Sequence, residues 1–207
     1  VPQKRFRLFV VATLGENGFK FPNSTHAIKQ EWTLFGKLKP YTTVGKAIEG
    51  LGKPEIKTKN GYKRTDSHVD PTPNGDRFRI NGVPEGSYLA AQAGLLPPNQ
   101  IKGLTKKDTT KFLRTSRYAP SNTLRGGEIF FHPFENRYLT PREYLRVHGY
   151  PDDFILKGPI RGRSGRVKNL DQYRQVANSV PPPLARLIAN EIRGYLCQKS
   201  LSFSVTN

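Results

Sequence analysis

The sequence predicts a mixed α/β fold with a loop-rich middle region, and three observations support this prediction. Residues 7–13 (RLFVVAT) form a continuous apolar run rich in β-branched side chains, which suits a strand buried on both faces. Residues 15–133 contain frequent turn signals and only short apolar pieces, such as 78–80 and 128–131, which favour short strands. Two later segments have the apolar spacing of helices.

The first helix is predicted within "RYLTPREYLRVHGYPDDF", which begins at Arg137. Thr140 and Glu143 have the spacing of a capping box, in which each side chain bonds a backbone N–H of the other residue. Pro141 stands at the first helical position, where a missing N–H removes no helical hydrogen bond. Gly149 suits the C-terminal cap, so this helix is short.

The closing helix is predicted to begin at three consecutive prolines, residues 181–183. The prolines also favour an extended approach through Asn178, Ser179 and Val180. Polar groups at a helix N-terminus either cap the helix or present donors to a ligand, and spacing alone favours capping. The predicted apolar face of this helix comprises Leu184, Leu187, Ile188, Ile192 and Tyr195.

Composition narrows the possible function classes. The 207-residue chain carries 34 Lys and Arg against 16 Asp and Glu, a formal net charge of +18. This excess indicates a polyanionic partner, most often nucleic acid, with a generally basic soluble protein as the alternative. No apolar run approaches the roughly 18 residues of a membrane span, and no signal stretch is found. The single cysteine, Cys197, excludes an internal disulfide framework and a cysteine-cluster metal site.

Basic side chains are concentrated in two loop regions. Between residues 101 and 126, Asp108 is the only acid among Lys102, Lys106, Lys107, Lys111, Arg114, Arg117 and Arg125. A second, glycine-containing loop follows the first helix and carries Lys157, Arg161, Arg163, Arg166 and Lys168. Loops of this kind are suited to phosphate contacts, and arginine can also read guanine in the major groove.

Three segments, in this order, resemble the last motif blocks of DNA (cytosine-5-)-methyltransferases, which are numbered eight, nine and ten. The eighth-block segment, "VPQKRFRLFVVA", resembles Gln-x-Arg-x-Arg through Gln3, Arg5 and Arg7. The ninth-block segment resembles Arg-x-Leu-Thr-x-Arg-Glu through Arg137, Leu139, Thr140, Arg142 and Glu143. The tenth-block segment, "YRQVANSVPPPLARLIANEI", resembles Gly-Asn-x-Val-Pro, with Ala177 where the family usually has glycine.

The resemblance implies the C-terminal portion of a doubly wound S-adenosylmethionine-dependent methyltransferase domain, with a small, loop-rich, short-stranded target-recognition domain inserted. Residues 1–60 would end the catalytic domain, residues 61–135 would read the DNA sequence, and residues 136–207 would return to the catalytic domain and the cofactor edge. The segment "SNTLRGG" resembles the Thr-Leu signature of such recognition domains, although an ordinary turn is the alternative. The DNA contacts expected from the resemblance are Gln3, Thr123, Leu124 and Arg125.

The family transfers a methyl group from S-adenosylmethionine to C5 of a cytosine that is flipped out of double-stranded DNA. The resemblance places Arg7 where an arginine holds the cytosine O2, with Arg5 supporting the same pocket. The alternative is a basic strand end that contacts phosphate. Asn178, Ser179 and Val180 are expected to lie against the cofactor, and no metal is expected.

The family's nucleophilic cysteine block, Glu-Asn block and glycine-rich cofactor loop are not found in this sequence. Cys197 lies in no Pro-Cys context and is interpreted as a structural or surface residue. We therefore expect a C-terminal part of a bacterial restriction–modification methylase, inactive alone, that acts on the nucleoid in the cytoplasm. The missing methionine favours an incomplete chain. The alternatives are a natural small subunit that pairs with a separate catalytic chain, or a non-catalytic nucleic-acid-binding protein.

Overall fold

The computed structural model describes residues 1–13, 19–29, 31–34, 36–59, 61–94, 112–162 and 170–204. These residues form a mixed α/β structure, as the sequence predicts. Contacts divide the chain into two compact units. The first unit comprises Val1–Arg5 and Thr42–Ser179, and the second unit comprises Phe6–Tyr41 and Val180–Asn207.

The second unit contains a small three-stranded sheet. Its strands are β1 (His26–Ala27), β2 (Glu31–Thr33) and β3 (Gly36–Pro40). β3 lies in the centre, parallel to β1 and antiparallel to β2. Gly36 begins β3 with a φ of +117°, a backbone conformation that glycine adopts without a steric penalty.

The first unit contains two further strands and most of the helices. Along the described chain these elements are α1 (Val44–Ile48), β4 (Glu55–Ile56), β5 (Val69–Asp70), α2 (Asn74–Ile80), a 3-10 helix (Leu89–Gly94), α3 (Pro141–His148) and α4 (Gln172–Asn178). β4 and β5 pair in parallel. α3 packs against both α1 and α4, so the ninth-block and tenth-block segments are neighbours in the fold.

The capping box predicted for α3 is confirmed in full. Thr140 Oγ1 accepts from the Glu143 N–H at 3.1 Å, and Glu143 Oε2 accepts from the Thr140 N–H at 2.7 Å. Pro141 is the first helical residue, and Gly149 ends the helix in the left-handed region with a φ of +87°. Since a cap of this kind contributes about 1 kcal/mol, the local sequence is sufficient to define both ends of α3.

The core of the first unit lies around α3 and α4. Leu139, Tyr144, Leu145 and Tyr173 are each 0% exposed. The rings of Tyr144 and Tyr173 meet edge to face with 4.9 Å between centroids, and Tyr173 Oη donates to the Leu139 carbonyl at 2.7 Å. Burial raises the pKa of both tyrosine hydroxyls. These hydroxyls are therefore neutral hydrogen-bonding groups of the core.

The final helix, α5 (Pro182–Ser204), belongs to the second unit and confirms the predicted start at the prolines. Its predicted apolar face is only partly covered, because Leu187 and Ile192 are each 38% exposed. Among the residues that the structure describes, no helix is long and apolar enough to cross a membrane.

The strand predicted over residues 7–13 is not formed within the described part of this chain. No strand is assigned there, and Phe6, Leu8 and Val10 are 93%, 88% and 82% exposed. A strand needs a neighbour for its backbone hydrogen bonds. No described residue pairs with residues 6–13 in a ladder, so the apolar run remains on the surface.

Two further local predictions are corrected by the structure. Residues 78–80 end helix α2 instead of forming a strand, with Ile80 as its buried anchor. Residues 172–178 form helix α4, so Asn178 is helical and not part of the predicted extended approach, whereas Ser179 is extended with φ −78° and ψ 168°. The signal for α4 was Asp171, whose carboxylate accepts from the Arg174 N–H at 2.9 Å as an N-cap.

Candidate functional site

The ninth-block segment forms a buried ion pair under α3. Arg137 donates to both carboxylate oxygens of Glu143, at 2.7 and 2.8 Å, and both side chains are 3% exposed. Arg137 also donates to Glu135 at 2.9 Å. Burial alone would lower the pKa of Arg137, but its hydrogen bonds to Glu143 and Glu135 outweigh burial and raise it. Glu143 therefore combines the ion pair with a helix cap.

A second buried arginine of this segment holds the chain that follows α3. Arg142 is 1% exposed, and its guanidinium donates to the carbonyl oxygens of Asp66 at 2.6 Å and Phe154 at 2.9 Å. These contacts fix residues 66 and 154 to the helix. The charged residues of the ninth-block resemblance, Arg137, Arg142 and Glu143, therefore have structural partners within the first unit.

Two buried histidines lie near this ion pair. His132 is 2% exposed, and its Nδ1 accepts from the Glu135 N–H at 3.0 Å. Burial, followed by the positive charges of Arg137 and Arg114, lowers the pKa of His132 to about 2. Burial also lowers the pKa of His68, whose ring contacts Thr140 Oγ1 at 3.1 Å. Both rings are neutral at physiological pH and serve as hydrogen-bonding groups.

The eighth-block and tenth-block segments meet through a small polar network, which we call the His148 network: Gln3, Arg5, His148 and the carbonyls of Ala177 and Ser179. Gln3 Nε2 contacts His148 Nδ1 at 3.2 Å, and His148 Nε2 contacts the Ser179 carbonyl at 3.2 Å. Arg5 donates to the Ala177 carbonyl at 2.6 Å and to the Ser179 carbonyl at 3.4 Å.

These distances give the His148 ring a defined role. An amide nitrogen can only donate and a carbonyl can only accept, so the ring accepts at Nδ1 and donates at Nε2. His148 is 0% exposed and belongs to α3. Arg5 of the eighth-block segment and His148 of the ninth-block segment therefore both bond backbone carbonyls of the tenth-block segment. The resemblance assigns no role to His148, because its spacing gives no sign of one.

The predicted Thr-Leu signature lies beside the eighth-block segment. Thr123 Oγ1 donates to the Lys4 carbonyl at 2.8 Å, and the Lys4 N–H donates to the Ser121 carbonyl at 2.7 Å. Leu124 is 2% exposed and packs in the core, so in this conformation it can act only by positioning its neighbours. Arg125 is exposed and pairs with Glu128 at 3.0 Å.

The remaining predicted site residues are placed on the surface. Arg7 is exposed, and its Nη1 donates to the Phe6 carbonyl at 3.0 Å. Asn178 is exposed at the end of α4, and Val180 is 48% exposed. Arg7 and Val180 belong to the second unit, whereas Arg5, Asn178 and Ser179 belong to the first. The structure therefore brings together Gln3, Arg5 and Ser179 within one unit.

Ala177 fits its position without strain. It is the sixth residue of α4, and alanine is the most favourable residue in a helix. The glycine that the family usually has at this position is therefore not needed for this backbone conformation. A tight approach occurs instead at Gly126, where an added Cβ would lie 2.8 Å from Arg174 Cα of α4.

Two of the arginines that the sequence assigns to a DNA-facing loop have internal partners. Arg114 is 8% exposed and donates to the Val83 carbonyl at 2.8 Å. Arg117 forms an ion pair with Glu85 at 2.6 Å. A DNA contact of Arg114 is not supported by this arrangement, since Arg114 has little exposed surface, whereas the Arg117 side chain is 38% exposed. Lys102, Lys106, Lys107, Lys111, Arg163, Arg166 and Lys168 lie outside the described residues.

The chemistry of the described side chains includes no metal cluster: no group of three or more His, Cys, Asp or Glu residues in the described ranges could hold a metal ion. Cys197 lies in α5 and is exposed. The described site consists instead of fixed backbone carbonyls, buried ion pairs and exposed polar residues at the end of α4.

Comparison with known proteins identifies the relatives of this chain. A family model described as C-5 cytosine-specific DNA methylase matches residues 1–194. Type II methyltransferase M.NgoFVII from Neisseria gonorrhoeae is 29% identical over 191 residues, which are 88% of this chain and 43% of that protein. Type II methyltransferase M.DdeI from Desulfomicrobium norvegicum is 39% identical over 99 residues, 47% of this chain and 23% of that protein.

A vertebrate relative gives a similar match. DNA (cytosine-5)-methyltransferase 1 from Gallus gallus is 39% identical over 82 residues, 40% of this chain and 5% of that protein. The chain spans less than half of the length of each of these relatives.

Proposed function

The chain belongs to the C-5 cytosine-specific DNA methylase family, an enzyme family, and from this premise we propose that it is part of a DNA cytosine-5 methyltransferase of a type II restriction–modification system. In this proposal the chain supplies DNA recognition and the cofactor edge, whereas the nucleophilic cysteine block lies outside it. The observation that carries the proposal is the His148 network, because it joins the three motif blocks within one unit.

The proposed cofactor is S-adenosylmethionine, which would supply the methyl group. Asn178 and Val180 expose a polar and an apolar side chain on either side of Ser179, which suits contact with a cofactor of mixed polarity. Ser179 is already engaged, since its Oγ donates to the Val176 carbonyl at 2.8 Å. Ser179 would therefore hold this edge in shape, together with the carbonyl contacts from Arg5 and His148.

The proposed catalytic arginines have different roles. Arg7 would hold O2 of the flipped cytosine and stabilise negative charge that develops on the ring, because its guanidinium is exposed. Arg5 would support that site through the Ala177 and Ser179 carbonyls. Thr123 and Arg125 would contact DNA directly, whereas Gln3, whose Nε2 contacts His148 at 3.2 Å, and the buried Leu124 would hold their loop.

We propose the domain division of the sequence analysis for the whole enzyme: residues 1–60 ending a doubly wound catalytic domain, 61–135 reading DNA and 136–207 returning to the catalytic domain. The exposed Phe6, Leu8 and Val10 support a missing neighbour, because alternating apolar side chains suit a strand covered on that face. This neighbour would be the catalytic part, in the same chain or in a separate subunit. The site of action would be the nucleoid in the bacterial cytoplasm.

Methyl transfer tests this proposal. The measurement is incorporation of labelled methyl groups from S-adenosylmethionine into unmethylated DNA, with this chain alone and with a polypeptide that supplies the missing blocks. We expect no transfer by the chain alone and transfer by the mixture. Salt-sensitive DNA binding without transfer in either sample would leave only a recognition function. Transfer by the chain alone would show that the nucleophile lies within this chain, contrary to the proposal.

Arg5→Ala and Arg7→Ala form a matched pair within the eighth-block segment. Arg5→Ala should lower the free energy of unfolding of the chain by about 1.5–3 kcal/mol, because it removes charge-assisted hydrogen bonds to the tenth-block backbone. Arg7→Ala should change stability by less than about 0.5 kcal/mol, because Arg7 is exposed.

Arg7→Ala, which should have the smaller effect on stability, should have a large effect on the rate of methyl transfer. In the complemented enzyme, Arg7→Ala should lower the rate of methyl transfer about 100-fold, as for loss of one preorganised donor, with DNA affinity nearly unchanged. Urea denaturation and methyl-transfer kinetics measure the two effects. Equal losses of DNA binding and transfer in Arg7→Ala would count against a role at the cytosine.

A further inference from the structure

A cavity of about 440 Å³ lies in the first unit, between β4, α2 and residues 135–137. This volume falls within the range of small-ligand sites. No residue of the proposed catalytic or cofactor sites lines it. Its lining combines exposed apolar side chains, oriented polar groups and a lysine, and each of these matches one part of a nucleotide.

Two of the side chains that line the cavity are apolar and exposed. Phe78 is 81% exposed and Ile56 is 65% exposed, and both line the cavity. The helix that carries Phe78 is firmly held, because Ile80 is 0% exposed, Arg77 pairs with Asp70 at 2.7 Å and Tyr138 Oη donates to Asp76. A large ring displayed on a fixed helix provides a face on which a base can stack at low entropic cost.

Two other lining residues, Asn136 and Glu135, have polar side chains whose orientation is fixed by hydrogen bonds. Asn136 Oδ1 accepts from Arg114 at 2.7 Å, and its Nδ2 contacts Asn81 Oδ1 at 3.3 Å, so the orientation of the amide is fixed. The Glu135 carboxylate is held by Arg137 and also lines the cavity. An amide and a carboxylate are the groups that bond adenine and cytosine edges in protein–DNA contacts.

Lys53 adds a positive charge to the lining, beside the ion pairs Arg77–Asp70 and Arg137–Glu135. Lys53 lines the cavity, and no carboxylate among the described residues forms an ion pair with it. The surrounding segment is also basic, because Glu55 is the only acid among Lys53, Lys57, Lys59, Lys63 and Arg64. The Glu55 carboxylate accepts from the backbone N–H groups of Lys63 and Arg64. Lys53 and the basic side chains near it in sequence favour an anionic ligand such as a phosphate.

We propose that this cavity binds one unstacked nucleotide of the substrate DNA, in addition to the cytosine that is methylated. The base lies against Phe78 and Ile56, its edge faces Asn136 and Glu135, and its phosphate lies near Lys53. The inference rests on the proposed function, since it takes DNA as the substrate. It adds a second nucleotide contact, which would favour DNA whose base pairs are disrupted at that position.

The test uses the full chain and a fluorescent duplex that contains one unpaired 2-aminopurine, a base whose emission reports stacking. Phe78→Ala should weaken binding of this duplex about tenfold, the scale expected for one base–aromatic stack. Lys53→Ala should reduce the slope of log affinity against log salt by about 1. Tyr118→Ala is the matched control, because Tyr118 is 80% exposed but does not line the cavity. Its affinity should change less than about twofold, within surface-substitution scatter.

The outcomes separate the inference from the proposed function. Unchanged affinity and unchanged 2-aminopurine emission in Phe78→Ala, with DNA binding intact, would overturn the inference alone. Equal weakening by Phe78→Ala and Tyr118→Ala would also overturn it, because the effect would not be specific to the cavity. Failure of the unaltered chain to bind any DNA would overturn both. Phe78-dependent binding of adenosine monophosphate without binding of the duplex would assign the cavity to a free nucleotide instead.

Discussion

Arg137→Ala is expected to lower the free energy of unfolding of the chain by about 3–5 kcal/mol, because it leaves the Glu143 carboxylate buried without its cation. Glu143 is 3% exposed, so water cannot replace the guanidinium. The same substitution removes the contact of Arg137 with the exposed Glu135. The capping box of α3 remains, since the Glu143 carboxylate still accepts from the Thr140 N–H at 2.7 Å.

Urea denaturation followed by circular dichroism measures this effect. The matched control is Arg125→Ala, which breaks the Arg125–Glu128 pair at 3.0 Å. The Arg125 side chain is 56% exposed, so this loss should be no more than about 1 kcal/mol. Similar losses in the two variants would show that burial does not determine the strength of the Arg137–Glu143 pair.

The contrast between α3 and α4 shows what the sequence could predict. The ends of α3 are defined by local signals, Thr140, Pro141 and Gly149, each of which acts on neighbouring backbone groups. α4 has one such signal, Asp171, and the prolines after it favour an extended reading of the preceding residues. Tertiary packing of its buried side chains stabilises α4, and one of these contacts, between Tyr173 and Tyr144, joins residues 29 positions apart in the chain.

The strand predicted over residues 7–13 is absent for a similar reason. Its composition predicts a strand, but a strand depends on partners that local sequence does not specify. The exposed Leu8 and Val10 keep the pattern of a buried strand without its neighbours. The burial of Arg114 could not be predicted from the sequence either, because nothing in a basic loop indicates that one of its arginines will donate to the Val83 carbonyl. Both errors concern long-range contacts.

The same limit applies to the candidate site. The motif blocks could be recognised from Gln3, Arg5 and the ninth-block residues, but their connection could not, because it passes through His148. A histidine at the end of a helix is common and has no distinctive spacing. Its function in the fold is defined by two contacts at 3.2 Å, to residues 145 and 31 positions away.

Lowering the pH from 6.5 to 5 is expected to destabilise the chain, and His132 should account for about 2 kcal/mol of this loss. Burial, followed by Arg137 and Arg114, lowers its pKa from 6.5 to about 2 in the folded state. Above pH 6.5 the ring is neutral in both states. Below 6.5 the unfolded chain binds a proton that the folded chain excludes, so stability falls as pH decreases toward 2.

This window separates His132 from the carboxylates. Asp66, whose pKa is lowered to about 2 chiefly by its hydrogen bond from Arg64, affects stability only below its usual pKa of 3.8. His68 shifts in the same direction as His132 and adds to the slope. Urea denaturation at pH 6.5, 5.75 and 5 therefore reports mainly the buried histidines.

His132→Asn isolates the contribution of one ring. Asparagine keeps an acceptor near the position of Nδ1, which the Glu135 N–H contacts at 3.0 Å, but it does not titrate. The variant should lose about one proton from the pH dependence of unfolding, or about 1.4 kcal/mol per pH unit. His26→Asn is the control: partial burial also lowers the pKa of His26, but its ring is exposed, so its contribution to the slope should be smaller than that of His132. A slope that is the same in the unaltered chain and in His132→Asn would mean that the folded chain can protonate His132, because its burial would then impose no cost on the charged ring.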